Sequence, residues 1–174
     1  MNGSVDGAGK VPPGAIKIIG IGQSLRGDDA AGLFAVRLWV ETFHAEALPQ
    51  AVQVELAELP GIGLLNLLQG TRFAILVDAV HSDATPGTIH RLTENQLESI
   101  KTGSGSAHGW GVAETLSLGR QLEPINLPPE LILIGIEAGQ LDLGEALSPD
   151  VASSLPEVAR LIEQYVSAAL NHLI

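Results

Sequence analysis

The chain has no cysteine, few aromatic residues and few basic residues. Without a thiol, disulfide bonds, thiolate metal sites and a catalytic cysteine are excluded, so any metal ligand must be His, Asp, Glu or water. Aromatic residues make up only 3% of the 174 residues, so the core must be aliphatic. Nine Lys and Arg against twenty Asp and Glu leave a net charge of −11, which argues against nucleic acids and anionic membrane surfaces as partners.

Long hydrophobic runs are also missing. No apolar stretch reaches the length of a transmembrane helix, and residues 1–14 lack the hydrophobic centre of a signal peptide. Because this N-terminal stretch is rich in Gly and Pro, we predict a flexible leader over 1–14. Residues 15–174 are then one domain, and we expect a cytoplasmic, monomeric protein with no membrane partner.

The hydrophobic pattern that is present predicts an α/β protein. Predicted strands cover Ala15–Ile21, Val52–Leu59, Phe73–Val80, Thr88–Leu92 and Pro128–Ile136. Predicted helices cover about 29–44, 64–70, 93–100, 111–122 and 151–170. Since strands and helices alternate, we expect a three-layer, doubly wound, mostly parallel sheet of about five strands with helices on both faces.

Two adjacent carboxylates follow the first strand. The apolar run from Ile16 stops at Gly20-Ile21-Gly22, and Asp28 and Asp29 stand where a helix should begin. An α/β protein binds its ligands at such a point, outside the carboxyl end of a strand. The acids favour a cation, because a phosphate would prefer basic side chains or bare amide groups.

Two further polar residues stand at the ends of predicted elements. Asp78 lies near the carboxyl end of the third apolar strand, and His108 follows a Gly/Ser loop and opens a helix. If the first and third strands are neighbours, Asp29 and Asp78 face one crevice, and a loop could place His108 over it. Two carboxylates and one imidazole suit a borderline divalent metal with open positions for a substrate.

Structural roles compete with these assignments. Either acid of the first pair could be a helix N-cap or a first-turn acid, and we assign Asp28 to the cap and Asp29 to the site. Asp78 is costly inside an apolar strand unless it is paired or liganded. His108 could simply start a helix, and His81, three residues after Asp78, is a reserve ligand.

Three segments together resemble a known family. GIGQSLRGDDAAG resembles the N-terminal motif of the hydrogenase maturation endopeptidases, ILVDAVHSDATPGTI the second motif, and SAHGWGVAETLSL the third. Their order and spacing also match. The resemblance extends from Ala15 to about Val166.

This resemblance implies a specific function. Such proteases remove a short C-terminal extension from the precursor of a [NiFe] hydrogenase large subunit after nickel insertion. Matched motif by motif, the residues that contact the metal and act in the site are Asp29, Asp78 and His108. The resemblance further implies that the nickel is carried by the precursor, so that it belongs to the substrate at least as much as to the enzyme.

The chain departs from the family pattern in three places. Gln23 replaces the usual Asn after the second glycine, and Asp29 stands where some members have the longer Glu. Pro60-Gly61-Ile62-Gly63 matches the family's G-x-x-G loop only loosely. None of these differences removes a predicted ligand.

Two other functions remain open from the sequence. One is a non-enzymatic nickel-sensing or metal-binding maturation chaperone on the same fold. The other is a different hydrolase of similar architecture, such as a peptidyl-tRNA hydrolase-like enzyme. The acidic composition speaks against the latter, because binding of tRNA needs contacts to phosphates.

Overall fold

A computed structural model describes residues 12, 14–58, 60–94, 96, 111–122, 126–144 and 146–173. The strands are β1 (Ile16–Gly22), β2 (Val52–Glu58), β3 (Phe73–Val80), β4 (Ile89–Thr93) and β5 (Glu130–Glu137). The α-helices are α1 (Ala31–Phe43), α2 (Leu64–Leu68), α3 (Val112–Leu122) and α4 (Pro149–Leu173). Short 3-10 helices, Gly27–Ala30 and Gly61–Gly63, precede α1 and α2.

The strands form one sheet in the order β2-β1-β3-β5-β4. The β1–β2, β1–β3 and β3–β5 pairs are parallel, and β4 at the edge is antiparallel to β5. From β1 the chain first moves outward to β2 and then returns to β3 on the other side. The strand order therefore reverses between β1 and β3, where a doubly wound sheet opens a crevice for ligands.

Helices cover both faces of the sheet. On β3, Phe73, Ile75 and Val77 belong to a core with α1 and α4, whereas Ala74 and Leu76 belong to a second core with α2 and α3. This alternation follows from the two-residue period of a strand, and it explains why β3 reads as a continuous apolar run. The predicted three-layer α/β fold is confirmed.

Several predicted boundaries shift. The predicted first helix begins as the 3-10 helix Gly27–Ala30 and becomes α-helical only at Ala31. The C-terminal helix is longer than predicted and begins at Pro149. At the start of the predicted helix 93–100, the Gln96 Oε1 atom accepts a hydrogen bond of 2.9 Å from the Thr93 backbone N–H, which is one half of a capping box. Positions 95 and 97–100 of that predicted helix lie outside the described residues.

Residues 1–11 and 13 also lie outside the described residues, so the leader and the single domain stay predictions. Among the helices described, none combines the length and the apolar character needed to cross a membrane.

Candidate functional site

The carboxyl ends of β1 and β3 lie side by side. These strands pair in parallel up to Gly20 opposite Val77, and Asp78 is the next residue of β3. Asp29 lies on the 3-10 helix after β1, which contacts β3. The pairing therefore brings Asp29 and Asp78 to the same edge of the sheet, at the point where strand order reverses.

Close backbone packing holds Asp29 in place. The Asp29 N–H donates to the Arg26 carbonyl oxygen at 3.1 Å, and its own carbonyl oxygen accepts from the Gln23 N–H at 3.3 Å. A Cβ atom on Gly22 would overlap the Asp29 carbonyl oxygen, so only glycine allows this approach. Asp29 itself is 5% exposed.

Asp78 has a strongly perturbed acidity. Burial raises its pKa to about 7, the negative charge of Asp29 adds to the rise, and a hydrogen bond from the Ala79 backbone N–H opposes it. The side chain nevertheless keeps partial exposure at the end of the strand. A divalent cation beside Asp29 and Asp78 would lower the pKa of Asp78 again, because it stabilises the charged form of the carboxylate.

Asp28 has a different role from the one predicted. It makes no side-chain cap of α1 or of the 3-10 helix before it, so the N-cap assignment is wrong. Its fully buried carboxylate accepts hydrogen bonds from the N–H groups of Gly139 (2.8 Å), Gln140 (2.9 Å) and Ser148 (2.6 Å). Asp28 therefore fastens the loop between β5 and α4 to the turn that carries Asp29.

These hydrogen bonds also determine the charge of Asp28. Burial alone would raise its pKa, but the backbone N–H groups of Ser148, Gln140 and Gly139 outweigh burial, and the pKa falls below its usual value. The carboxylate is thus held ionised as a structural acceptor.

The third predicted ligand, His108, lies outside the described residues. Its role therefore stays a prediction. His81 is exposed, and its Nδ1 atom lies 4.0 Å from Glu137 Oε1. Within the described parts of the chain, no three His, Asp or Glu residues form a group able to hold a metal, so His81 does not complete a site with Asp29 and Asp78.

Sequence reasoning missed Glu137. This fully buried residue ends β5, and its carboxylate accepts hydrogen bonds from Ser82 N (2.6 Å) and Ser82 Oγ (2.8 Å) and lies 3.0 Å from His90 Nε2. Burial would raise its pKa, but the bonds from Ser82 and the contact with His90 lower it overall. An acid near the carboxyl end of an apolar strand is the signal that identified Asp78, and it would have identified Glu137.

Comparison with known proteins gives the same fold and one family. A family model described as hydrogenase maturation protease matches residues 40–165, a range that includes Asp78 and position 108 and begins after Asp29. A putative hydrogenase maturation protease of Methanocaldococcus jannaschii is 30% identical over 161 residues, covering 91% of this chain and 96% of that protein. The hydrogenase 2 maturation protease of Escherichia coli K12 is 27% identical, covering 91% and 90%.

Solved structures agree. The [NiFe] hydrogenase maturation protease HybD from Thermococcus kodakarensis has a TM-score of 0.68 at 27% identity, covering 86% of this chain and 97% of that one. The hydrogenase maturating endopeptidase HybD from E. coli has a TM-score of 0.77 at 24% identity, covering 88% and 93%, and supports the fold. With a family match over most of its length and relatives that span nearly all of it, the chain belongs to the hydrogenase maturation protease family.

Proposed function

We propose that this protease removes the C-terminal extension of a [NiFe] hydrogenase large-subunit precursor after nickel has been inserted. The observation that carries the proposal is the convergence of Asp29 and Asp78 at the reversal point of the sheet, between β1 and β3. We place the reaction in the cytoplasm, where the precursor is synthesised.

The nickel is part of the substrate in this proposal. Asp29, Asp78 and His108 contact the nickel that the precursor carries, and carboxylate and imidazole ligands are compatible with that ion. The turn around Asp29 is held by backbone hydrogen bonds, so its carboxylate can meet the nickel without reorganising the loop. Recognition of the nickel thus becomes the condition for cleavage.

Two cleavage routes fit this arrangement. A cation can polarise the scissile carbonyl group, or it can lower the pKa of a water molecule that then attacks it. In both routes the residues of the chain orient the nickel and the peptide bond relative to one another.

A cleavage assay tests the proposal. The purified protein is incubated separately with nickel-loaded and with nickel-free precursor, and mass spectrometry measures the masses of the products. We expect shortening of the nickel-loaded form alone. Failure to shorten either form would overturn the protease assignment, and tight binding of the nickel-loaded form without cleavage would favour the nickel-sensing chaperone.

A matched pair of variants tests the role of His108. His108→Ala should abolish processing, whereas His172→Ala, an exposed position near the end of α4, should leave it intact. Circular dichroism checks that both variants keep their fold. Full processing by the His108→Ala variant would contradict the assignment of His108 to the site.

A further inference from the structure

An open groove of about 670 Å³ lies beside the candidate site. It is lined by two loops, the one after β1 and the one after β5, through Gln23, Arg26, Leu141, Asp142 and Leu143. We propose that this groove, with the neighbouring Leu25, binds an extended apolar segment of the precursor next to its nickel centre. The proposal rests on the proposed function and adds the surface that selects the substrate.

The groove is continuous with the turn that carries Asp29. Gln23 donates its backbone N–H to the Asp29 carbonyl oxygen, and the Arg26 carbonyl oxygen accepts the Asp29 N–H. Both lining residues therefore flank the aspartate that faces the nickel in the proposed function. A polypeptide that presents its nickel to Asp29 therefore comes up to the edge of this groove.

Hydrogen bonds hold the two loops of the groove together before any substrate arrives. Arg26 Nε donates to the Leu141 carbonyl oxygen at 3.0 Å, and the Gly144 N–H donates to the Leu25 carbonyl oxygen at 2.9 Å. The buried Asp28 carboxylate fastens the same loop. Because these contacts preorganise the groove, binding a peptide loses little loop entropy.

The surface of the groove suits an extended apolar peptide. Leu25 is 74% exposed and Leu143 is 80% exposed, so two large apolar side chains stand in water on the joined loops. Arg26 carries further guanidinium donors besides the Nε–H, and a peptide backbone offers carbonyl oxygens to such donors. An extended chain presents its side chains and carbonyl groups in alternation, so it can offer apolar side chains to the leucines and carbonyl oxygens to the guanidinium group.

Charge argues against a second copy of the chain as the occupant. Each molecule carries a net charge of −11, so two copies repel one another. The groove is lined by one basic and one acidic side chain, Arg26 and Asp142, and it lies next to the site where the nickel-bearing polypeptide arrives. The precursor segment is therefore the occupant that the position of the groove favours, because the groove adjoins the turn that carries Asp29.

Two leucine variants and one control test the proposal. Leu25→Ser and Leu143→Ser should each raise the Kd and the KM for the nickel-loaded precursor about tenfold, since each removes one apolar contact, with little change in kcat. Leu122→Ser on α3 is the matched control, because this leucine is 64% exposed and lies outside the groove. Calorimetry gives the Kd, the cleavage assay gives KM and kcat, and thermal unfolding checks the fold.

Each outcome decides the proposal. Unchanged Kd and KM in both groove variants, or an equal loss in Leu122→Ser, would overturn it. If the wild-type protein binds precursor without cleaving it, the proposed function fails while the Kd comparison still decides the groove. If it neither binds nor cleaves, both fail. Self-association that disappears in Leu143→Ser, with the Kd and KM for precursor unchanged, would assign the groove to a second copy instead.

Discussion

At the scale of single residues, two adjacent aspartates have separate roles. Asp28 is fully buried and accepts backbone hydrogen bonds from Gly139, Gln140 and Ser148, whereas Asp29 stands beside Asp78. The difference arises because consecutive side chains on a tight turn point in different directions.

Asp28→Asn should lower the free energy of unfolding by about 2 kcal/mol, because an amide replaces one acceptor oxygen with a donor that faces other donors. Urea denaturation at pH 7 measures the change. Asp29→Asn is the matched control at the neighbouring residue. This variant should mainly lose the ability to process nickel-loaded precursor. An Asp28→Asn variant as stable as the wild type would contradict the fastening role.

Asp78 makes stability depend on pH. Its pKa in the folded protein is raised to about 7, well above the usual value, so the folded state keeps a proton that the unfolded state releases. The folded state therefore loses stability as pH rises from about 4 to about 7, and the penalty is complete above that range.

Asp78→Asn removes this titration. The variant should gain stability over the wild type as pH rises from 5 to 8, on the order of 2 kcal/mol at the upper end. Urea unfolding of both proteins across this range measures the difference. A difference that does not change with pH would contradict the raised pKa.

At the scale of elements, α1 packs directly on the ends of two strands. A Cβ atom on Gly32 would overlap the carbonyl oxygens of Ile21 and Val77, so the helix can approach β1 and β3 only because this residue is glycine. This contact sets the distance between the turn that carries Asp29 and the strand that carries Asp78.

Gly32→Ala should destabilise the protein by about 3 kcal/mol or more, because backbone must move to admit the methyl group. Gly63→Ala is the control, since nothing lies within 4 Å of its added Cβ and its φ of −60° suits alanine. Thermal and urea unfolding compare the two. Equal stability of the two variants would contradict the close approach.

Glu137 connects β5 to the loop after β3. Glu137→Gln should lower the free energy of unfolding by about 2 kcal/mol at pH 7, because the charge-assisted bonds from Ser82 and the contact with His90 are weakened. The pKa of Glu137 is lowered in the folded protein, so its stabilisation is present above the usual glutamate range and is lost as pH falls through the folded value. The difference from wild type should therefore shrink in acid, as measured by urea unfolding.

At the scale of the whole molecule, the nickel is proposed to arrive with the substrate. The described residues offer Asp29 and Asp78 but no group of three ligands for a metal, and two carboxylates alone bind a borderline cation weakly. Treating the protease with EDTA and then removing the chelator should leave its processing of nickel-loaded precursor unchanged. Loss of activity that added nickel restores would assign a resident metal to the protease instead.

Local patterns predicted much of the fold. The continuous apolar run of β3 and the glycines at the end of β1 identified these two strands, because burial on both faces requires apolar residues and a tight turn after a strand requires glycine. The antiparallel direction of β4 was not predicted, since pairing at an edge depends on the neighbouring strand. Acids that follow or end strands predicted Asp29 and Asp78 as site residues, whereas Glu137 was passed over, and the role of His108 stays a prediction.

The sequence by itself determined the chemistry that is available and the kind of sheet. Without cysteine, only oxygen and imidazole ligands remain, and aliphatic runs that alternate with helices produce an α/β core. Only the tertiary structure decided that β1 lies beside β3, and that Asp28 accepts hydrogen bonds from the loop between β5 and α4. The physical reason is separation along the chain, because the hydrogen-bond donors to Asp28 lie 111 to 120 residues later and meet it only after the sheet has formed.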